Sequence, residues 1–275
     1  MSSSSSSNIS GRAFVEAMAL PVWQAMAAVR WLEGRVANRP KIEEITPEKA
    51  ALTDGDCVAQ EILLVALRSH FPDVALSVEE DTPSVALFEG NQADQRVVID
   101  PIDGTLRYLR RDGPYAILMG LEREGRVEAS LVGLPAIGTL IQAVRGETAE
   151  IATEGGSFRP ASPSSDGRAL LVSYGLPEDV RARLEARGHN LVTAAGGVIG
   201  VASLLPGTFG ALRLSAHADG LSHRAWVAAL PTLEAGGVVE GLDGAFPEGY
   251  SPGVPGLIVG ASSEDAAYIR QALRA

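Results

Sequence analysis

Residues 97–105 read Val97-Val98-Ile99-Asp100-Pro101-Ile102-Asp103-Gly104-Thr105. Three β-branched residues in a row have the composition of a buried strand. The strand is expected to stop at Asp100-Pro101, because proline has no N–H to give a central ladder. Asp103-Gly104 is a turn dipeptide. Asp100 and Asp103 therefore stand at a strand end, three residues apart across a bend, where both can aim at one point. Two anions so placed repel unless a cation lies between them. Hard oxygen ligands suit Mg²⁺ or another hard divalent ion. Gly104 and Thr105 offer backbone N–H groups beside the same point, and Thr105 adds a hydroxyl. A bare Asp-x-x-Asp-Gly is equally the spacing of a plain turn with a capping aspartate, so the longer string has to decide.

That string, residues 100–105, resembles the signature of the inositol monophosphatase family of Mg²⁺-dependent, Li⁺-sensitive sugar and nucleotide phosphatases. The resemblance runs outward from it. Leu76-Ser77-Val78-Glu79-Glu80 is similar to the family's Glu-Glu motif, without its usual preceding Gly. Thr53-Asp54 is similar to the Thr-x-x-Asp region before a helix. Val144-Arg145-Gly146-Glu147 resembles the Val-Arg-Gly-Glu-Gly-Ala hairpin, and residues 234–239 resemble the helix-to-strand turn near the C-terminus. The likeness covers roughly residues 14–270 and is strongest at 97–146.

The resemblance implies an α+β and α/β fold, a layered αβαβα sandwich of the inositol monophosphatase and fructose-1,6-bisphosphatase type. It implies Mg²⁺ held by Glu79, Asp100, the Ile102 carbonyl and Asp103. It implies that Glu79 pairs with Thr105 to position the attacking water, and that amides of Gly104 and Thr105 stabilise the developing charge. Asp54 carries two readings that can hold together: an N-cap, or, by the resemblance, a holder of a metal or its water. The family is often dimeric, so a homodimer is expected by analogy.

Bulk numbers narrow the classes. At 275 residues the chain can bury a sizeable core. A formal net charge of −11 argues against a nucleic-acid partner, which wants a basic stripe. Cys57 is the sole cysteine, so no intrachain disulfide forms, which fits a cytoplasmic location. The longest uncharged run, 189–212, is broken by Gly196-Gly197, Gly200 and Leu205-Pro206-Gly207, and reads as a buried helix rather than a membrane span. No basic-then-apolar leader is seen.

Taken in order, residues 1–12 read as a serine-rich disordered tail. Residues 13–33 read as a helix with an apolar stripe through Phe14, Met18, Leu20, Trp23, Met26, Val29 and Leu32, with Pro21 marking a kink or a later start. Residues 34–52 read as a polar loop. A helix over 55–70, capped by Thr53 or Asp54, presents Val58, Ile62, Val65 and Leu67 inward. Val74–Val78 is a strand ending at Glu79-Glu80-Asp81, and 83–95 a polar insertion. Three antiparallel strands follow at 115–122, 126–134 and 138–145. The Gly-, Pro- and Ser-rich stretch 153–168 divides an N-terminal α+β half (13–152), carrying the metal motif, from a C-terminal α/β half (153–275).

Two departures from the family pattern bear on function. After the central motif come Arg107, Arg110 and Arg111, where the family usually shows Thr-Asn-Phe. They read either as a solvated basic loop or as a clamp, led by Arg107, for a substrate more anionic than a monophosphate. The family's second signature, Trp-Asp ahead of Glu-Ala-Gly-Gly, is also altered. Counting back from Glu234 puts Arg224 at the aspartate position; aligning on Trp226 puts Val227 there. Neither binds a metal cation. Asp219 is the nearest acid and serves only if its loop is re-routed, whereas Arg224 can stand in for a metal's charge and hold phosphate.

Two functions are therefore expected to compete. One is a Mg²⁺-dependent phosphatase using metal-activated water on a small phosphorylated metabolite, such as an inositol or sugar phosphate or a 3′,5′-bisphosphate nucleotide. The other is a diverged member that binds a phosphate or diphosphate ligand with phosphatase activity lost or its chemistry altered. Neither involves nucleic acid or membrane.

Overall fold

The computed structural model describes residues 8–42, 44, 47–91, 93–215 and 219–274. The serine run at 2–7 lies outside them. Residues 10–12, expected in the tail, are structured instead: Ser10 caps α1 (Gly11–Leu32), its hydroxyl accepting from the Ala13 amide at 3.1 Å. Pro21 sits inside α1, which continues through it, and is buried against the core. Of the expected stripe residues Leu20 faces solvent, and Val15, Val22 and Ala25, which the stripe left out, are buried.

After α2 (Pro47–Ala50), Thr53 caps α3 (Asp54–His70) in a capping box with Asp56. The inner face of α3 keeps Leu67 but otherwise differs from expectation. Ala59, Leu63, Leu64 and Leu67 are buried, whereas Val58 and Val65 are exposed. The helix meets both α1 and the sheet, and the Ala59/Leu63/Leu67 stripe, spaced i, i+4, i+8, is the one that fits the groove between them. Residues 83–88 form a 3₁₀ turn that buries Ser84 and Phe88, not a purely polar insertion.

A seven-stranded sheet runs in sequence order through β1 (Ala75–Val78), β2 (Gln95–Asp103), β3 (Ala116–Arg123), β4 (Arg126–Leu134), β5 (Thr139–Val144), β6 (Glu150–Thr153) and β7 (Arg159–Pro160). Strands β1 and β2 are parallel and the rest antiparallel. Strand β2 does not end at Pro101. It reaches Asp103 through an irregularity in which Asp100 pairs with Leu118 and Asp103 with Ala116. The proline falls in that bulge, where its missing N–H breaks no ladder bond. Helix α4 (Thr105–Arg110) follows at once.

The second sheet has the order β11-β12-β10-β8-β9, from β8 (Ala169–Val172), β9 (Asn190–Thr193), β10 (Thr208–Leu214), β11 (Val238–Gly241) and β12 (Gly256–Gly260). The uncharged run 189–212 is not one helix. It divides into β9, α6 (Gly196–Gly200), a 3₁₀ turn at Ala202–Leu204 and β10. Pro206-Gly207 stops helical propagation, and the flanking β-branched residues pair as strand.

Three buried clusters define five layers. Helices α1 and α3 cover one face of the large sheet. Helices α6 and α7 (Arg224–Glu234) fill the space between the sheets. Helices α5 (Glu178–Ala186) and α8 (Ser263–Arg274) cover the far face of the small sheet. This is the αβαβα sandwich. Helix α7 approaches closely because Gly120 of β3 has no side chain: a Cβ there would lie 2.6 Å from Val227 Cγ2. No helix among the described residues is long and apolar enough to cross a membrane.

Candidate active site

Strand register builds the centre. In the parallel pair, Val78 lies opposite Ile99, so Glu79, just past the end of β1, stands beside Asp100, which is still within β2. Asp103 follows at the end of the same bulged strand. Gly104 turns the chain at φ +98°, and a Cβ there would also strike Ala195 at 2.7 Å, so glycine is required. From the middle layer, α7 delivers Arg224 from its first residue.

The Arg224 guanidinium ties the acids together. Its Nη1 lies 2.8 Å from Glu79 Oε2 and 3.1 Å from Asp100 Oδ2. Asp100 is buried, and its Oδ1 has no hydrogen-bond partner. Asp103 Oδ2 accepts the Gly197 amide at the start of α6. The charge of Arg213 on β10 also acts on Asp103, and its guanidinium lies over Gly196, where a Cβ would meet Nη1 at 2.2 Å. Lys41 Nζ closes the rim, 2.6 Å from Glu80 Oε1 and 3.4 Å from Glu79 Oε1. The Lys41 amide donates to the Ala50 carbonyl, which holds its loop over the site. Gln60 of α3 brackets the Glu80 backbone, donating to its carbonyl at 2.5 Å and accepting from its amide at 3.1 Å.

Charge governs the titration of these groups. Burial drives Glu79 upward, but Arg224 and Lys41 outweigh it and hold its carboxyl below the usual range. Burial and then the neighbouring Glu79 push Asp100 well above its ordinary value despite Arg224. Burial raises Asp103 too, against the pull of Arg213 and the Gly197 amide. Arg224 is raised: burial opposes its charge, and Asp100 and Glu79 overcome that.

A second pair adjoins this cluster. Thr105 Oγ1 lies 3.0 Å from Asp56 Oδ1 and 3.0 Å from the Ile102 carbonyl, so its one proton has two acceptors. Asp56 Oδ2 accepts from the Thr53 amide at 2.8 Å and hydroxyl at 2.7 Å. Burial pushes Asp56 up to about 6, although the bonds from Thr53 and Thr105 favour its charged form.

The structure thus brings Glu79, Asp100, Asp103 and Arg224 together, with Ile102, Gly104 and Thr105 alongside. It sorts other residues differently from the sequence reading. Thr105 bonds Asp56 rather than Glu79. Asp54 points outward and pairs with Arg39 at 2.8 Å. Arg107 pairs with Asp112 at 3.0 Å and lies over the Tyr174 ring, Arg111 donates to the Glu33 carbonyl at 3.1 Å, and Arg110 is exposed, so Arg107 and Arg111 are engaged elsewhere than at the acidic cluster. Asp219 is exposed in a turn; its neighbours His217 and Ala218 lie outside the described residues.

Sequence reasoning missed Lys41, Asp56 and Arg213. Asp56 had a signal, the Thr53-x-x-Asp56 capping-box spacing. Lys41 and Arg213 had none, since only tertiary packing brings their segments to the site.

The residues present do not make a carboxylate cage for a divalent ion. Arg224 occupies the space between Glu79 and Asp100, and among the described residues no three of His, Cys, Asp and Glu stand together as a ligand set.

Comparison with known proteins places the chain. Residues 16–275 match the model of the inositol monophosphatase family. A histidinol-phosphatase of Chlorobaculum parvum is 36% identical over 114 residues, 41% of this chain and 38% of that protein. The Nus factor SuhB of Pasteurella multocida is 31% identical over 100 residues, 36% of each chain. The chain therefore aligns with well under half the length of these relatives. The crystal structure of the extragenic suppressor protein SuhB from Bartonella henselae superposes with a TM-score of 0.73 over 95% of this chain and 98% of that one, at 17% identity, which is a likeness of fold. On the match of nearly its whole length, this chain belongs to the inositol monophosphatase family.

Proposed function

We propose that this chain is a phosphatase of a small phosphorylated metabolite, acting at the cluster of Glu79, Asp100, Asp103 and Arg224. The observation that carries the reading is the Thr105–Asp56 pair beside that cluster. Thr105 gives its proton toward Asp56 and keeps lone pairs for a water. As that water attacks phosphorus, its proton passes through Thr105 Oγ1 to Asp56, and the ester P–O bond breaks. The leaving oxygen takes a proton from solvent. A carboxyl near pKa 6 is a stronger base than an ordinary aspartate and is still mostly ionised at neutral pH. Arg224 and Lys41 supply positive charge to the phosphoryl oxygens. No step here runs through the magnesium implied by the resemblance, because a guanidinium stands between two of the expected ligands.

The same guanidinium favours a second reading, a protein that binds the phosphorylated ligand and does not turn it over. Release of inorganic phosphate from sugar phosphates, histidinol phosphate and a nucleoside 3′,5′-bisphosphate separates the two. Each is measured once with magnesium and once with EDTA. Release in either condition supports the phosphatase; none from any ester in both conditions sinks it.

A further inference from the structure

Resting on the reading of this centre as a phosphate site, we infer that Arg224, with Lys41 and Arg213, replaces the divalent cation, so that the chain binds phosphate without metal. Arg224 stands at the head of α7, where the second family signature would place an acid. Its Nη1 spans Glu79 and Asp100 within 3.1 Å. This is where a cation bridging two strand ends has to sit. Adding a second full charge there would repel the guanidinium at contact distance. The arginine is also held in place. His223, the residue before it, meets Glu122 at 2.9 Å, and Glu122 meets Arg96 at 2.6 Å, so the start of α7 is anchored to the large sheet. The His223 ring stacks on Tyr250 with centroids 3.5 Å apart.

The arginine remains able to take a ligand. Both ion pairs run through Nη1, so Nε and Nη2 lie outside them, and the side chain is 31% exposed. Lys41 is 22% exposed on the same rim. Among Glu79, Glu80, Asp100 and Asp103 stand three fixed cations, Lys41, Arg213 and Arg224. They balance most of the acidic charge before any ion enters. The ligand class this suits is a phosphate monoester whose oxygens meet guanidinium and ammonium directly.

Calorimetric titration of the full chain with inorganic phosphate, in EDTA and again in magnesium chloride, tests this. The dissociation constants should agree within about threefold, and Arg224→Gln should weaken both by about tenfold or more. Titration with Mn²⁺ should give no binding to the wild type up to about 1 mM, whereas Arg224→Asp, which restores an acid beside Glu79 and Asp100, should bind it. If Arg224→Asp fails to fold, the Gln variant and the wild-type titrations still decide. Phosphate binding that appears only with magnesium, or wild-type Mn²⁺ binding that Asp100→Asn removes, overturns the inference and leaves the phosphate site standing. Phosphate that binds in neither buffer overturns the functional reading, and the inference with it.

Discussion

Thr105 and Asp56 are 49 positions apart in the chain, yet their side chains meet at 3.0 Å where the head of α4 faces the head of α3. Both residues are almost fully buried. The same carboxylate that completes the capping box of α3 therefore also receives the hydroxyl next to the acidic cluster.

Asp56→Asn should cut turnover by about 10²-fold or more, the usual share of a general base. With Asp56 pushed up to about 6, wild-type hydrolysis should rise with pH through that value and then level off. Rates measured from pH 5 to 8 check this; an Asn variant with an unchanged profile removes Asp56 from the chemistry.

The same shift has a signed effect on stability. The folded value of Asp56, about 6, lies above its reference of 3.8, so its stabilising contribution is complete below 3.8 and lost as pH rises through 6. The difference is on the order of 3 kcal/mol by linkage. Asp100 and Asp103 are shifted upward and add in the same direction, while Glu79, shifted downward, opposes them. Melting temperatures of Asp56→Asn from pH 4 to 8 should therefore vary less than those of the wild type.

Gly197→Ala should destabilise the fold by about 1–3 kcal/mol, the cost of overpacking a filled core. The new Cβ would lie 2.7 Å from Leu118 Cδ2 and 3.0 Å from both Ala116 Cβ and Asp103 Oδ2. Urea unfolding measures the loss. Phosphate affinity should fall as well, because Asp103 has to turn; a variant as stable as the wild type would show that α6 has slack.

Asp219→Asn should leave both phosphate binding and melting temperature unchanged. Its side chain is exposed in a turn, and what the turn uses is its backbone carbonyl, which accepts from the Gly253 amide at 2.8 Å. A tenfold loss of affinity, about 1.4 kcal/mol, would place Asp219 at the site after all.

On α3, Leu64→Ala should cost about 2–5 kcal/mol, since Leu64 is fully buried, while Val65→Ala should lie within about 0.5 kcal/mol of wild type. Chemical denaturation of the two variants reports which face of the helix meets the core.

What could be read from the chain directly was whatever depends on near neighbours. The run Val97-Val98-Ile99, the turn at Asp103-Gly104, the hairpins between 115 and 145 and the small-residue close of α7 each follow from local preference. Their agreement with one motif identified the family and its layers. Even there, local rules failed at particular residues. Pro101 reads locally as a strand end because a ladder proline is costly, but a bulge removes the cost. Val58 and Val65 are apolar at helical spacing, yet α1 and the sheet choose the neighbouring stripe. The run 189–212 is apolar enough for a buried helix or for strands, and sheet pairing settles between them.

The content of the site was decided by tertiary structure. Lys41, Asp56, Arg213 and Arg224 come from four separate segments, and packing decides which acids and hydroxyls each one faces. That Arg224 fills the gap between Glu79 and Asp100 follows from the register of β1 on β2 and from how closely α7 settles on Gly120. Electrostatic balance in a buried centre is a property of distances between segments, and no single segment carries it.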